Sequence, residues 1–96
     1  MLNSKQRKYL YSMTNDMQPV VNIGKSSLTP EIIDSVDEAL SARELIKISV
    51  LKNCPEVTST LAITISERTH SDVVRIIGKK IILYRPAKKP KIQLPD

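Results

Sequence analysis

The stretch "VVNIGKSSLTPE", residues 20–31, constrains the fold more than any other: an apolar strand pattern stops at Gly24 and a helix starts within a few residues. Thr29-Pro30 is a strong helix start. The threonine hydroxyl can accept an N–H of the first turn, and proline's fixed φ and missing N–H suit the first helical position. The helix that follows carries Ile32, Ile33, Val36, Ala39 and Leu40 on one stripe and turns Glu31, Asp34 and Glu38 outward, with Glu31 and Asp34 near the positive end of its dipole. A strand feeding straight into a helix returns most readily to a parallel strand. Residues 45–51, "LIKISVL", supply it: Ile46, Ile48 and Val50 share one face, Lys47 and Ser49 the other.

The flanking segments complete the order. Ser4 or Asn3 can cap a first helix running to about Met17, with Tyr9, Leu10, Met13 and Met17 as the stripe that docks on the core. Residues 19–23 form the first strand. Residues 53–70 alternate like a strand at Leu61, Ile63 and Ile65 but also recur every four residues at Val57, Leu61 and Ile65. Their length, and Asn53 with Glu56 three residues on as a capping box, favour a helix. "DVVRIIGKKIILYR" reads as a hairpin with Gly78-Lys79 at the centre of a glycine-first turn, and residues 86–96, with three prolines, as an extended tail. The expected fold is thus α/β, in the order α-β-α-β-α-β-β: two helical crossovers that favour parallel strand pairs, then an antiparallel hairpin, giving a four-stranded mixed sheet with helices packed on it.

Ninety-six residues, 41% of them hydrophobic, make a single domain with one core. No run of about 18 apolar residues occurs, and the N-terminus lacks the apolar stretch and cleavage site of a signal peptide, which points to a cytoplasmic protein without membrane contact. One cysteine and one histidine cannot make a four-ligand zinc site. Cys54 reads as a small residue beside Pro55 and His70 as a loop residue. The net charge of +5 suggests a polyanionic partner, and the charge is unevenly spread. Residues 29–44 hold five acids against Arg43, whereas residues 75–91 hold Arg75, Lys79, Lys80, Arg85, Lys88, Lys89 and Lys91 and no acid. In the first turns of the first helix, Lys5, Arg7 and Lys8 oppose the helix dipole, so local helix stability does not explain them; an external anion would, with chance placement as the competing explanation.

No nucleophile, base and orienting group come together in a recognisable motif, so the chain does not read as an enzyme, and no cofactor is implied. "GKSS" also lacks the glycine-rich spacing of a nucleotide-hydrolase phosphate loop. With no Phe or Trp and only Tyr9, Tyr11 and Tyr84, the chain cannot supply a row of aromatic platforms for single-stranded bases. Recognition of a nucleic acid would therefore go through backbone and shape. Gly24 permits close approach, Lys25 brings charge, Ser26 and Ser27 offer hydroxyls, and the next helix could present free N–H groups. The competing reading of the same corner is an ordinary strand-to-helix turn.

"GKSSLTPEIIDSVDEALSARELIKISVL" followed by "IIGKKIILYRP" resembles the YhbY family of single CRM domains, named for chloroplast RNA splicing and ribosome maturation. The likeness extends over nearly the whole chain and is most specific at "ARELIKI", residues 42–48, and "IGKKIILYRP", residues 77–86. It implies a fold like the C-terminal domain of translation initiation factor 3, with the third segment helical, and binding of structured RNA. Bacterial single-domain members are associated with precursors of the large ribosomal subunit, so the implied partner is large-subunit rRNA or its precursor. The family's GxxG loop, between the first strand and second helix, corresponds here to Gly24, Lys25, Ser26 and Ser27. Ser27 replaces the second glycine; if its backbone is left-handed, serine costs about 1–2 kcal/mol there. Under this reading Lys25 meets a phosphate, and Lys5, Lys8 and Arg85 are candidate flanking contacts. The alternative from another class is a module that docks a ribosomal protein through the acidic helix. The oligomeric state is left open.

Overall fold

The computed structural model describes residues 2–96 and has the expected element order. It comprises α1 (Ser4–Ser12), β1 (Val21–Ile23), α2 (Pro30–Arg43), β2 (Leu45–Val50), α3 (Thr58–Thr69), β3 (Asp72–Ile77) and β4 (Lys80–Tyr84). The strands form one mixed sheet in the order β1-β2-β4-β3. β1 and β2 are parallel, as the first crossover requires, while β4 pairs antiparallel with both β2 and β3. The second crossover therefore does not set β3 beside β2. The hairpin folds back so that β4 enters between them and β3 takes the edge.

Each face of the sheet has its own apolar cluster. On one, α2 and α3 bury Val36, Leu40, Leu61 and Ile65 against Ile23, Ile46, Ile48, Ile81 and Leu83. On the other, Leu2, Leu10, Leu45, Val74, Ile82 and Tyr84 pack together, with Tyr11, Met17 and the tail residues Ile92 and Leu94 against them. β4 thus contributes to both layers, which explains why its last four residues are all buried. Burying a large aliphatic side chain stabilises by about 1.5–3 kcal/mol, so β2 and β4 carry much of the fold.

Local structure departs from expectation at three places. α1 ends at Ser12 rather than near Met17, since the Met13 and Thr14 N–H groups turn back to the Leu10 and Tyr11 carbonyls. The Ser12 and Thr14 hydroxyls donate to the Tyr9 and Tyr11 carbonyls, the local competition by which such side chains close helix ends. The docking residues are accordingly Leu2, Leu10, Tyr11 and Met17; Tyr9 and Met13 lie exposed. At the other end Asn3 caps the helix in a reciprocal box with Gln6.

α3 is a helix, but the Asn53–Glu56 capping box does not form. The helix begins at Thr58 behind an exposed Val57 that offers no side-chain cap, because Leu51 and Cys54 first close a turn through Cys54 N–H and Leu51 O, 3.1 Å apart. β1 is also shorter than expected, Val21–Ile23, although Val20 N–H still donates to Lys47 O. Thr29 and Pro30 start α2 as expected, with Thr29 Oγ1 accepting the Ile32 N–H at 3.2 Å. Gly78 takes the left-handed φ of +55° that a glycine-first hairpin turn requires. Cys54 is buried in the first cluster, and His70 supplies the left-handed C-cap of α3.

Candidate functional site

The 24–27 loop joins β1 to α2 at the end of the sheet where β2 also finishes. It is closed by Ser27 N–H donating to Gly24 O at 2.9 Å. Lys25 and Ser26 sit at its exposed tip. Ser27 has φ +56°, so the second-glycine position of the loop does use left-handed backbone and is occupied by a residue that is strained there. Gly24 has no such φ. Nor does packing demand glycine there: an added Cβ would stand 3.4 Å from Asn53 Oδ1 and 3.5 Å from Leu51 Cδ1, ordinary van der Waals contacts. Asn53 therefore abuts the loop instead of capping α3.

The N-terminus of α2 offers less to an anion than expected. Pro30 has no N–H, the Ile32 N–H goes to Thr29 Oγ1 and the Ile33 N–H to Thr29 O. Of the first four helical residues, that leaves the N–H of Glu31, which carries its own negative charge. The corner therefore does not present a row of open helix amides to an anion.

Lysines from three segments lie at this end of the sheet. Leu51 N–H donates to Ile23 O at 2.8 Å and Val50 N–H to Lys79 O at 2.7 Å, drawing the ends of β1 and β2 to the β3–β4 turn. Lys52, Lys79 and Lys80 are thereby brought to the same end of the sheet as Lys25, all four exposed. Lys80 Nζ donates to Ser49 Oγ at 3.0 Å, and none of the four is in an ion pair among the described residues. Lys52, Lys79 and Lys80 were missed from sequence as neighbours of the loop. The signal available was the charge run through the hairpin, and only strand order shows that its turn reaches the end of β2, beside β1.

The other sequence candidates lie elsewhere. α1 packs on β3, whereas the loop follows β1, so Lys5 and Lys8 are separated from it by the width of the sheet, roughly 14 Å for three strand spacings. Both are exposed, and Lys8 borders a groove with Ser4, Arg7, Tyr11, Val74 and Arg75. There the Arg75 guanidinium lies 4.5 Å from the centre of the Tyr11 ring. Arg7 is committed to the fold, donating to Leu2 O and Val73 O.

Arg85 is at the far end of β4. Its guanidinium donates to Asp37 Oδ1 at 2.6 Å, to Thr69 O at 2.7 Å, to Ser41 Oγ at 2.9 Å and to Asp37 O at 3.0 Å. It ties β4 to α2 and to the C-terminus of α3, where a cation also complements the dipole.

A second commitment at that end is Glu44, buried and at φ +65°. Its carboxylate accepts the N–H groups of Ala87 (2.9 Å), Lys91 (2.8 Å) and Ile92 (3.1 Å). The bond from Ala87, with those from Lys91 and Ile92 and the Lys91 charge, holds its pKa below the ordinary value of 4.5 against the opposing effect of burial. The described residues contain no group of three or more potential metal ligands.

Residues 2–85 match the CRS1/YhbY (CRM) domain. The chain belongs to that family. "Probable RNA-binding protein YqeI" of Bacillus subtilis is 40% identical over 96 residues, 99% of this chain and all of its own length. An "RNA-binding protein" of Haemophilus influenzae is 34% identical over 94 residues, covering 98% of this chain and 95% of its own. The solution structure of hypothetical protein SAV1595 from Staphylococcus aureus superposes with a TM-score of 0.84 at 41% identity, over 99% of this chain and all of that one. This CRM domain therefore has relatives of the same length and architecture, and the α/β order read from its sequence is the family's own.

Proposed function

We propose that this protein binds structured RNA through the 24–27 loop and the lysines around it, that the RNA is that of the large ribosomal subunit or its precursor, and that the protein assists assembly without catalysing a reaction. The observation that carries this is that a strained, exposed loop bearing Lys25 lies at the same end of the sheet as Lys52, Lys79 and Lys80, and that none of these four lysines has an acidic partner among the described residues. Such a surface suits a phosphate backbone: charge and hydroxyl donors are present, and aromatic platforms for bases are not. Family membership and the names of the two relatives support an RNA partner. The ribosomal assignment rests on the association of bacterial single-domain family members with large-subunit precursors, and such work would be done in the cytoplasm.

Crosslinking in cells followed by sequencing of the attached RNA tests the proposal. Crosslinks should cluster at discrete sites in large-subunit rRNA. Crosslinks spread over all RNA in proportion to abundance, or a ribosomal association that survives nuclease treatment through a protein partner, would overturn it. The second outcome would favour docking through α2, whose Glu31, Asp34 and Glu38 are exposed.

A further inference from the structure

The tail carries three exposed lysines, Lys88, Lys89 and Lys91, in a segment with no helix or strand. A segment outside any helix or strand ordinarily frays. This one is fixed at both sides of the lysines by a single side chain: one oxygen of Glu44 accepts the Ala87 N–H and the other accepts the Lys91 and Ile92 N–H groups. Beyond that point Ile92 and Leu94 pack on the second apolar cluster, and Pro95 O accepts a hydrogen bond from Gln6 Nε2. Burying a carboxylate and holding its backbone at positive φ are both unfavourable unless the contacts made repay them. The outcome is a closed loop, residues 87–91, whose protruding side chains are lysines and a proline.

We propose that this loop is a second RNA-backbone contact, set at the opposite end of the sheet from the 24–27 loop. The inference rests on the RNA-binding reading above and extends it from one point to two. Glu44 precedes the first residue of β2, whereas Gly24 follows the β1 residue paired with the last residue of β2. The two loops are thus separated by the length of β2, roughly 20 Å for six residues. A molecule 39 Å in its longest dimension would then hold an RNA backbone at two points. Neither lysine pair nor loop touches the acids of α2 through an ion pair among the described residues, which leaves Lys88 and Lys89 available to phosphate.

The test uses the full chain and an RNA hairpin whose stem is longer than the protein, with affinity measured across a salt series. Lys88→Ala/Lys89→Ala should weaken binding by about tenfold and reduce the slope of log affinity against log salt by about two. Glu44→Gln gives the sharper sign. It raises net charge by one, so a bulk-charge effect would tighten binding; release of the loop should instead weaken it about threefold or more while all lysines are retained. If wild type does not bind the hairpin, the RNA-binding reading falls and this inference with it. If wild type binds and the double-lysine variant binds equally well with an unchanged slope, the second contact alone is refuted. Because Glu44→Gln could unfold, its result is read only with a native melting transition, and the two surface lysines decide the matter independently.

Discussion

Ser27 and Glu44 both hold a positive φ without being glycine, and they do so for different reasons. At Ser27 the φ of +56° shapes the loop. Ser27→Gly relieves about 1–2 kcal/mol of strain but loses part of it to the greater entropy of the unfolded chain, so a net stabilisation of up to about 1 kcal/mol is expected. Denaturant unfolding measures this, and a Ser27→Val variant should move the other way by more. RNA affinity adds a separate reading: an affinity that falls with Ser27→Gly while stability rises identifies the hydroxyl as a phosphate donor.

At Glu44 the strain is offset by three backbone N–H groups. Its folded pKa is depressed, so its contribution is fully present above the unfolded value near 4.5 and is lost as pH falls through the lower folded value. Wild type should therefore lose stability relative to Glu44→Gln as pH drops below about 4.5, and melting curves of the two across that range check it. A constant difference would mean that the carboxylate charge is not what anchors the tail.

Among the elements, periodicity and caps made most of the structure legible. Thr29-Pro30 marked α2 to the residue, the alternation of residues 45–50 marked β2 and its faces, and Gly78-Lys79 marked the hairpin. The misreadings share a cause: side chains that act across the fold resemble local signals. Asn53 looks like a cap but meets Gly24, and the hydroxyls of Ser12 and Thr14 close α1 where an apolar period alone would extend it. Arg85 belongs to a basic run in sequence, yet its partners Asp37 and Ser41 lie 48 and 44 positions away. Arg85→Ala should cost about 1–3 kcal/mol, chiefly through lost bonds to helix carbonyls, since the half-exposed Asp37 makes a weak ion pair. Thermal or chemical unfolding gives that value, and the RNA affinity of the folded variant should match wild type. A selective loss of affinity at unchanged stability would return Arg85 to the RNA surface.

For the whole molecule, the net charge of +5 matters less than its arrangement: acids outward on α2, lysines gathered by strand order at the ends of the sheet. Sequence reasoning placed the loop between the first strand and the second helix, where the structure has it. It could not find Lys52, Lys79 and Lys80 around that loop, because their approach depends on β4 entering the sheet beside β2. The central claim, that RNA is held at this corner, is tested most directly by the affinity of Lys25→Glu for a structured RNA over a salt series, beside Glu38→Gln on α2. Lys25→Glu should weaken binding by about tenfold or more and lower the salt slope by about one, while Glu38→Gln should stay within about twofold of wild type. Unchanged affinity and slope in Lys25→Glu, or equal losses in both folded variants, would contradict the claim.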